Sequence, residues 1–374
     1  MIYWKRNVTR SFKRDNKKSN KRGTPMIELH VGGLKPDFNT ITEAINSVKT
    51  PDKQDYAEEV VIHIAAGTYY EKIYSEEIDN LTLIGEGRDK TIITYDDHAL
   101  QIMPDGIKRG TFRSYTAFLS GHKVTVKDLT IENTSGDGRL VGQALALYSD
   151  ADSAYYENVC LKACQDTLFM SPLPVSERQP GGFTGPRENT ERKLTNQYFK
   201  DCKIIGDIDF IFGGADAVFD NCDIICNDRE HVNLGIADDS KDKDQIGTTE
   251  KFINGYITAP CGSKDNIGFI FRKCLIQGAK GCASGSVFLG RPWREEAKAA
   301  FIDCVMDDTI HEKRFSGWGG ITKDQPDTAF GEYNSVDANG NQYDLSCKNN
   351  WVMDIDERLY LEYESKAEHI ISKI

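Results

Sequence analysis

The sequence contains no apolar run long enough to cross a bilayer, which excludes a helical membrane span. Its basic start, MIYWKRNVTRSFKRDNKKSNKRG, is followed by no apolar h-region and does not read as a secretory signal. Residues 1–25 are expected to be a basic, disordered extension, with Met26 a natural start and residues 26–374 a single domain. Histidine is scarce, at seven residues, and GxSxG, HExxH, P-loop and EF-hand patterns are absent. Those absences disfavour a Ser-His hydrolase, a zincin, a nucleotide-binding P-loop and a calcium hand. None of the ten cysteines forms CxxC, and Cys160/Cys164 and Cys222/Cys226 lack histidines at zinc spacing. They are read as mainly reduced, buried thiols. Cations are outnumbered, 46 Lys and Arg against 58 Asp and Glu, and the net charge of −12 gives no pull toward nucleic acid.

What remains is a chain that is 39% hydrophobic and 28% charged, enough to build a large core. Residues 39–48 read as a short helix: Thr40 and Glu43 make a capping-box pattern, and Ile41, Ala44, Ile45 and Val48 share one face. Short β-rich segments follow at residues 60–65, 81–84 and 91–95. Among them a pattern recurs, apolar-x-x-apolar-x-apolar: Ile78/Leu81/Leu83, Val126/Leu129/Ile131 and Tyr156/Val159/Leu161. Sharper copies follow in Phe199/Cys202/Ile204, Phe219/Cys222/Ile224, Phe271/Cys274/Ile276 and Phe301/Cys304/Met306. Seven copies spaced 20 to 52 residues apart do not suit a propeller with equal blades. They suit a parallel β-helix, whose coils stack like side chains in ladders while loops of any length emerge between strands. A β-sandwich would call for hairpin turns between neighbours, and no Asn-Gly signal separates the copies. Residues 171–195 and 227–251 read as long polar loops, the second carrying a DDSKDKD run taken as a solvated loop. Residues 355–374 read as a charged helical tail that closes the C-terminal end.

Three polar islands interrupt apolar strands: Gln143 in GQALAL, Gln165 and Asp166 in QDTLF, and Asp209 in GDIDFIFG. A fourth, LGRPW, brings Arg291 and Trp293. Coils of a β-helix lie about 4.8 Å apart, so residues at equivalent outward positions become neighbours. Two adjacent carboxylates cannot both ionise freely, and an arginine beside one keeps it anionic while the other can hold a proton. That division suits a nucleophile and a general acid. Glutamine amides can donate to a developing oxyanion, and a tryptophan suits stacking on a sugar ring. Taken singly, each residue also has a plain role: Gln143 as a hydrogen-bonding rung, Arg291 as a structural ion-pair partner, Trp293 as packing.

GQALAL, QDTLF, GDIDFIFG and LGRPW, in this order, resemble the four signature segments of the pectin methylesterases. The resemblance extends from HVGGLKPDFNTITEAI at His30 to TAFGEYNS ending at Ser335, and includes GTYYEK at Gly67 to Lys72. It implies a right-handed parallel β-helix, with the short helix capping its N-terminal end, and hydrolysis of methyl esters of polygalacturonate or oligogalacturonides without a cofactor. Carried over by motif, Asp209 is the nucleophile, Asp166 the general acid and then the base, and Gln143 and Gln165 hold the oxyanion. Arg291 orients Asp209, and Trp293, Phe212 and Thr116 (in FRSYTAF) contact the sugar. Two departures stand out. Asp166 and Asp209 are 43 positions apart, farther than in the plant members, which marks residues 171–195 as an insertion beside the cleft. Ala163-Cys164 stands where the family often has glycine followed by an aromatic. A monomer acting in the cytoplasm on imported methylated oligogalacturonides is expected, with secretion the alternative if the native N-terminus differs. Competing readings are a galacturonan hydrolase on the same scaffold and a non-catalytic carbohydrate-binding β-helix.

Overall fold

The computed structural model describes residues 17–19, 25–49, 59–76, 78–232, 252–318 and 328–374. The DDSKDKD run lies outside the described residues. Three sheets of twelve, eight and seven strands wind around a common core. Every pairing between successive coils is parallel, so the architecture is a parallel β-helix and the sandwich reading falls. One pair is antiparallel: Lys17–Ser19 against Pro25–Ile27. Part of the basic extension is therefore an edge strand rather than free chain.

The repeat found in the sequence is the corner between the long sheet and the eight-stranded sheet. Val126, Tyr156, Phe199, Phe219, Phe271 and Phe301 are register partners on successive long-sheet strands. Ile131, Leu161, Ile204, Ile224, Ile276 and Met306 are partners after the corner. From Tyr156 to Phe301 the rings stack with centroids 4.4–4.7 Å apart and planes within 10° of parallel. Each stacked pair adds about 0.5–1.5 kcal/mol beyond the burial of its area. The third residue of each corner copy adopts the left-handed conformation, with φ between 52° and 55° at Asp128, Asn158, Asp201, Asn221, Lys273 and Asp303. Asp and Asn tolerate that region best. Here they also bond between coils: Asn158 Nδ2 donates to Asp128 Oδ1 at 2.6 Å, and Asn221 Nδ2 donates to Asp201 Oδ1 at 2.6 Å.

The first copy is displaced. Leu83, not Ile78, pairs with Val126, so Ile78/Leu81/Leu83 marks the entry to a long-sheet strand rather than its exit. Asn80 has φ 53° there, and a left-handed turn leading into a strand produces the same spacing of apolar residues.

The N-terminal helix, Ile41–Val48, starts as expected, with the Thr40 hydroxyl accepting from Glu43 N, and buries Ile41, Ala44 and Ile45 against the first coils. Its first turn is held from outside by Glu71, whose carboxylate accepts from Ile41 N, Thr42 N and the Thr42 hydroxyl at 2.7–3.0 Å. A carboxylate at a helix N-terminus satisfies orphan amides and opposes the dipole, which gives the Glu of GTYYEK a structural role. The C-terminal helix, Glu357–Ile371, does not close the end of the solenoid. It lies on the outer face of the long sheet, where Tyr363, Ala367 and Ile370 cover Val218, Ile270, Ala300 and Ile302. These outward apolar residues would otherwise face water, and Arg272 fastens the helix by bonding Asp220, Glu364 and Glu368. At this end of the core Phe330, on the strand Ala329–Tyr333, is flanked by Phe315 and Trp351 in tilted and edge contact.

All ten cysteines are free; Cys347 is exposed and the rest are buried or half-buried. No helix among the described residues is long and apolar enough to cross a membrane.

Candidate active site

The polar islands gather along the seven-stranded sheet: Asp209 lies on its strand Ile208–Gly213, Gln143, Gln165 and Asp166 lie just ahead of strands, and Arg291 just after one. Leu147, Leu168 and Ile211 are register partners on three successive coils. Asp166 and Asp209 each lie two positions ahead of a paired residue, so they occupy equivalent places on adjacent coils. Both have left-handed backbones, φ 65° and 51°. Around Asp209 the ladder slips: Ile208 pairs with Tyr256 but Ile211 with Thr258, so two residues face one. Such a bulge re-aims a side chain. Phe210 turns into the core and Asp209 turns out.

Asp209 is held by Arg291 in a fork: Nε to Oδ1 and Nη2 to Oδ2, both 2.8 Å, with side chains only 7% and 10% exposed. Arg291 leaves the sheet immediately after the strand Val287–Gly290, and its guanidinium is sandwiched between two rings. The centroid of Tyr256 is 3.9 Å from Cζ and that of Trp318 is 4.2 Å away. Planar stacking and a bidentate carboxylate are what a guanidinium can accept together and an ammonium cannot. Neither Tyr256 nor Trp318 was found from sequence. The strand Gly255–Pro260 carries no motif, and only the pairing of Ile208 with Tyr256 could have pointed to the tyrosine.

Asp166 is buried beside this pair, and its carboxyl is pushed well above the usual carboxylate range. Burial contributes most, then the charge of Asp209; Arg291 opposes and Asp207 adds to the rise. The rise favours the protonated form of Asp166, while its neighbour Asp209 is paired with the fixed positive charge of the guanidinium. Gln165 precedes it and is half-buried, pressed against Gly138: a Cβ at that glycine would stand 2.6 Å from Gln165 Oε1. Gln143, half-buried, leads into the coil before, where its carbonyl accepts from Ala99 N. Sequence reasoning also missed Asp207, 2% exposed and pushed up to about 6 by burial, with Arg229 opposing. Its one signal is the second carboxylate in GDID.

The residues expected to touch sugar separate. Trp293 is half-buried at the rim, edge-on to Phe212 at 5.7 Å and to Phe183 at 6.3 Å. Phe212 is only 3% exposed and belongs to an aromatic cluster on the outer face of the sheet with Phe112, Phe118, Tyr148 and Phe169. It is the packing beneath the rim. Thr116 corrects the expectation outright: it is fully buried and its hydroxyl donates to the Glu132 carbonyl at 2.9 Å, so it fixes a strand entry and faces no ligand. Among the described residues no group of three or more His, Cys, Asp or Glu is placed to hold a metal ion.

The pectinesterase family model matches residues 32–179 and 190–355. The chain belongs to the pectinesterase family. Residues 180–189, the stretch between the two matched segments, lie within the loop of residues 171–195. The Arabidopsis thaliana "Probable pectinesterase 56" is 31% identical over 289 residues, covering 75% of this chain and 81% of the relative. "Probable pectinesterase/pectinesterase inhibitor 64" of the same plant is 31% identical over 300 residues, 77% of this chain but 42% of its own length. The chain thus spans less than half the length of several of the curated relatives it matches. Among solved structures, pectin methylesterase PemA from Erwinia chrysanthemi superposes with a TM-score of 0.65 at 25% identity, covering 91% of this chain and 96% of that one. A carrot pectin methylesterase gives 0.65 at 23% identity, over 92% and 95%. The fold read from the corner ladder is the fold of these enzymes.

Proposed function

We propose that this pectinesterase-family protein hydrolyses methyl esters of galacturonan or of oligogalacturonides, yielding a free carboxylate and methanol through an aspartyl acyl-enzyme. The observation that carries the reading is the pairing of unlike carboxyls: Asp209 gripped in a bidentate fork by Arg291, and Asp166 buried at the equivalent place on the next coil, its carboxyl raised by burial and by the charge of Asp209. A methyl ester lying over these strands presents its carbonyl carbon to an Asp209 oxygen. Attack forms the new C–O bond and places negative charge on the carbonyl oxygen, toward the Gln143 and Gln165 amides, which donate without adding charge. Collapse of that intermediate breaks the bond to methoxide, which takes the Asp166 proton and leaves as methanol. Asp166, now a carboxylate, removes a proton from water, and the hydroxide attacks the acyl carbon and frees Asp209. Asp166 ends protonated, as it began. Arg291 holds the nucleophile in one orientation throughout, and the sandwiching rings keep Arg291 in place.

The competing hydrolase reading uses two carboxylates as well, but sets them on either side of a glycosidic bond. Here they occupy equivalent places on adjacent coils, with Arg291 bonded to one of them, which suits attack at an ester. The test is methanol release set beside the appearance of new reducing ends, on methylated oligogalacturonides of graded length. Methanol without reducing ends is expected, and reducing ends without methanol would select the hydrolase.

A further inference from the structure

Gln143 enters its strand from a short helix, Gly138–Val141, and directly follows the helix cap Gly142, which has φ 74°. Gly142 N donates to the Gly138 carbonyl at 2.8 Å, and the Val141 carbonyl accepts from Leu100 N at 3.1 Å and from His98 Nδ1 at 3.0 Å. The helix also reaches the other glutamine. Gly138 packs on Gln165 so closely that a Cβ there would stand 2.6 Å from Gln165 Oε1 and 2.8 Å from the Gln165 Cβ. One short helix therefore bears on both amides: it sets where Gln143 enters its strand, and it walls one side of Gln165.

An arginine that crosses the coils holds this helix. Arg139 grips Asp137, the helix N-cap, through Nε to Oδ1 at 2.9 Å and Nη2 to Oδ2 at 2.8 Å, and Asp137 Oδ1 also accepts from Arg139 N at 2.8 Å. The same Nη2 donates to the Arg229 carbonyl at 2.7 Å. Arg229 lies just after the strand Asp223–Cys226, three coils beyond the helix. The strap thus spans the coil of Gln143, the coil of Gln165 with Asp166, and the coil of Asp209. Its far end is fixed: Arg229 is buried, its N donates to Asn254 Oδ1 at 2.8 Å, and buried Asn254 donates to the Ser286 hydroxyl at 3.1 Å. Burial raises the Asp137 carboxyl, but the bonds from Arg139 and the charges of Arg139 and Arg229 outweigh it and leave the group below its ordinary value. The near end is therefore held by an anion in a guanidinium fork, a geometry that an ammonium cannot reproduce.

We infer that Arg139 is a positioning residue: by tying the helix Gly138–Val141 to the backbone of Arg229, it holds Gln143 and Gln165 in the arrangement that receives the oxyanion. This rests on the esterase reading for what the two amides receive. Donors fixed during folding need no reordering as charge develops on the carbonyl oxygen, and that is where a preorganised pair gains its advantage. Arg139 touches neither the ester nor Asp209 in this arrangement; it acts through the helix.

The test is a double-mutant cycle on methanol release, with kcat and KM measured per folded molecule of the full chain. Arg139→Gln should lower kcat about 10- to 100-fold, the range of a displaced oxyanion donor, with KM within about twofold of the parent. Arg139→Lys keeps the charge but cannot hold both Asp137 oxygens and the Arg229 carbonyl at once, and should fall between the two. It carries the test if Arg139→Gln does not fold. In a Gln165→Ala background the same substitution should cost at least about threefold less, because one of the two amides it positions is gone. A loss of equal size in both backgrounds, or a lower melting temperature with the parent's kcat, overturns the positioning role. Nuclear magnetic resonance of isotope-labelled glutamine side-chain amides reads the same claim without turnover. The Gln143 and Gln165 signals should shift or broaden in Arg139→Gln while those of Gln197 and Gln277 stay in place, and unmoved Gln143 and Gln165 signals overturn it. A parent chain that releases no methanol but shows these shifts keeps the positioning and loses the esterase reading.

Discussion

Two arginines in this molecule grip a carboxylate by the same fork. Arg314 bonds Glu332 at 2.7 and 2.8 Å, and Arg291 bonds Asp209 at 2.8 and 2.8 Å. Both pairs are buried, and both guanidinium groups face aromatic rings, Tyr343 in one case, Tyr256 and Trp318 in the other. The differences lie in the backbone and the company. Glu332 sits in regular ladder on the strand Ala329–Tyr333, 3% exposed, with Met306 Sδ 3.1 Å from its arginine. Asp209 sits in a bulge with a left-handed backbone, and Asp166, its carboxyl raised by burial, lies at the equivalent place one coil away. A buried arginine–carboxylate pair is by itself only a piece of structure. A bulge and a second buried acid beside it make one of the two a candidate for chemistry.

The comparison can be pressed from either side. The largest effect is expected at the structural pair: Glu332→Gln strands a buried guanidinium and should lower stability by about 3–5 kcal/mol. Methanol release per folded molecule should stay at the parent level, measured by denaturant titration alongside the assay. Arg291→Lys keeps a charge but loses the fork and the stacking, and should lower kcat about a hundredfold with less loss of stability than Glu332→Gln. Equal losses of both kinds would erase the distinction between the pairs.

The acids around Asp209 give a pH test. Asp207 has its folded value raised from 3.8 to about 6, so its contribution to folding is intact below pH 4 and is lost as pH climbs toward 6. Two pH units correspond to on the order of 3 kcal/mol. Asp207→Asn should therefore be more stable than the parent above pH 6 and no more stable near pH 4, read from melts at the two pH values. Asp166→Asn should shift stability in the same direction, since its carboxyl is raised as well. Removing one face of the arginine sandwich, Trp318→Leu, is the smallest change and takes away about 1 kcal/mol of cation–π attraction. A several-fold fall in kcat with little change in KM would mark Trp318 as a positioning residue.

The sequence made the corner ladder legible because aromatic, cysteine and Asp/Asn residues repeat there at fixed offsets, and the structure stacks them as written from Val126 onward. The displaced copy at Ile78 shows the limit: spacing records a left-handed turn beside a strand, but not which end of the strand it guards. The sheet that bears the site has no repeated side chain, so its register was invisible, and with it Tyr256. Trp318 arrives from a glycine-rich segment whose path over Arg291 no local pattern specifies. Thr116 was misplaced because a motif position says nothing about whether a hydroxyl faces the cleft or a buried carbonyl. The C-terminal helix was legible as a helix, but its seat depends on outward residues of three distant strands, Val218, Ile270, and Ala300 with Ile302.

The most direct test of the central claim pairs Asp209→Asn with Glu332→Gln in one methanol-release assay on methylated oligogalacturonides, normalised to folded protein by melting curves. Both variants strand a buried guanidinium and should melt below the parent; folded Asp209→Asn should lose activity by a factor on the order of 10⁴ or more, while Glu332→Gln turns over normally once folded. Methanol release by folded Asp209→Asn at a rate near the parent's would contradict the assignment of Asp209 as nucleophile.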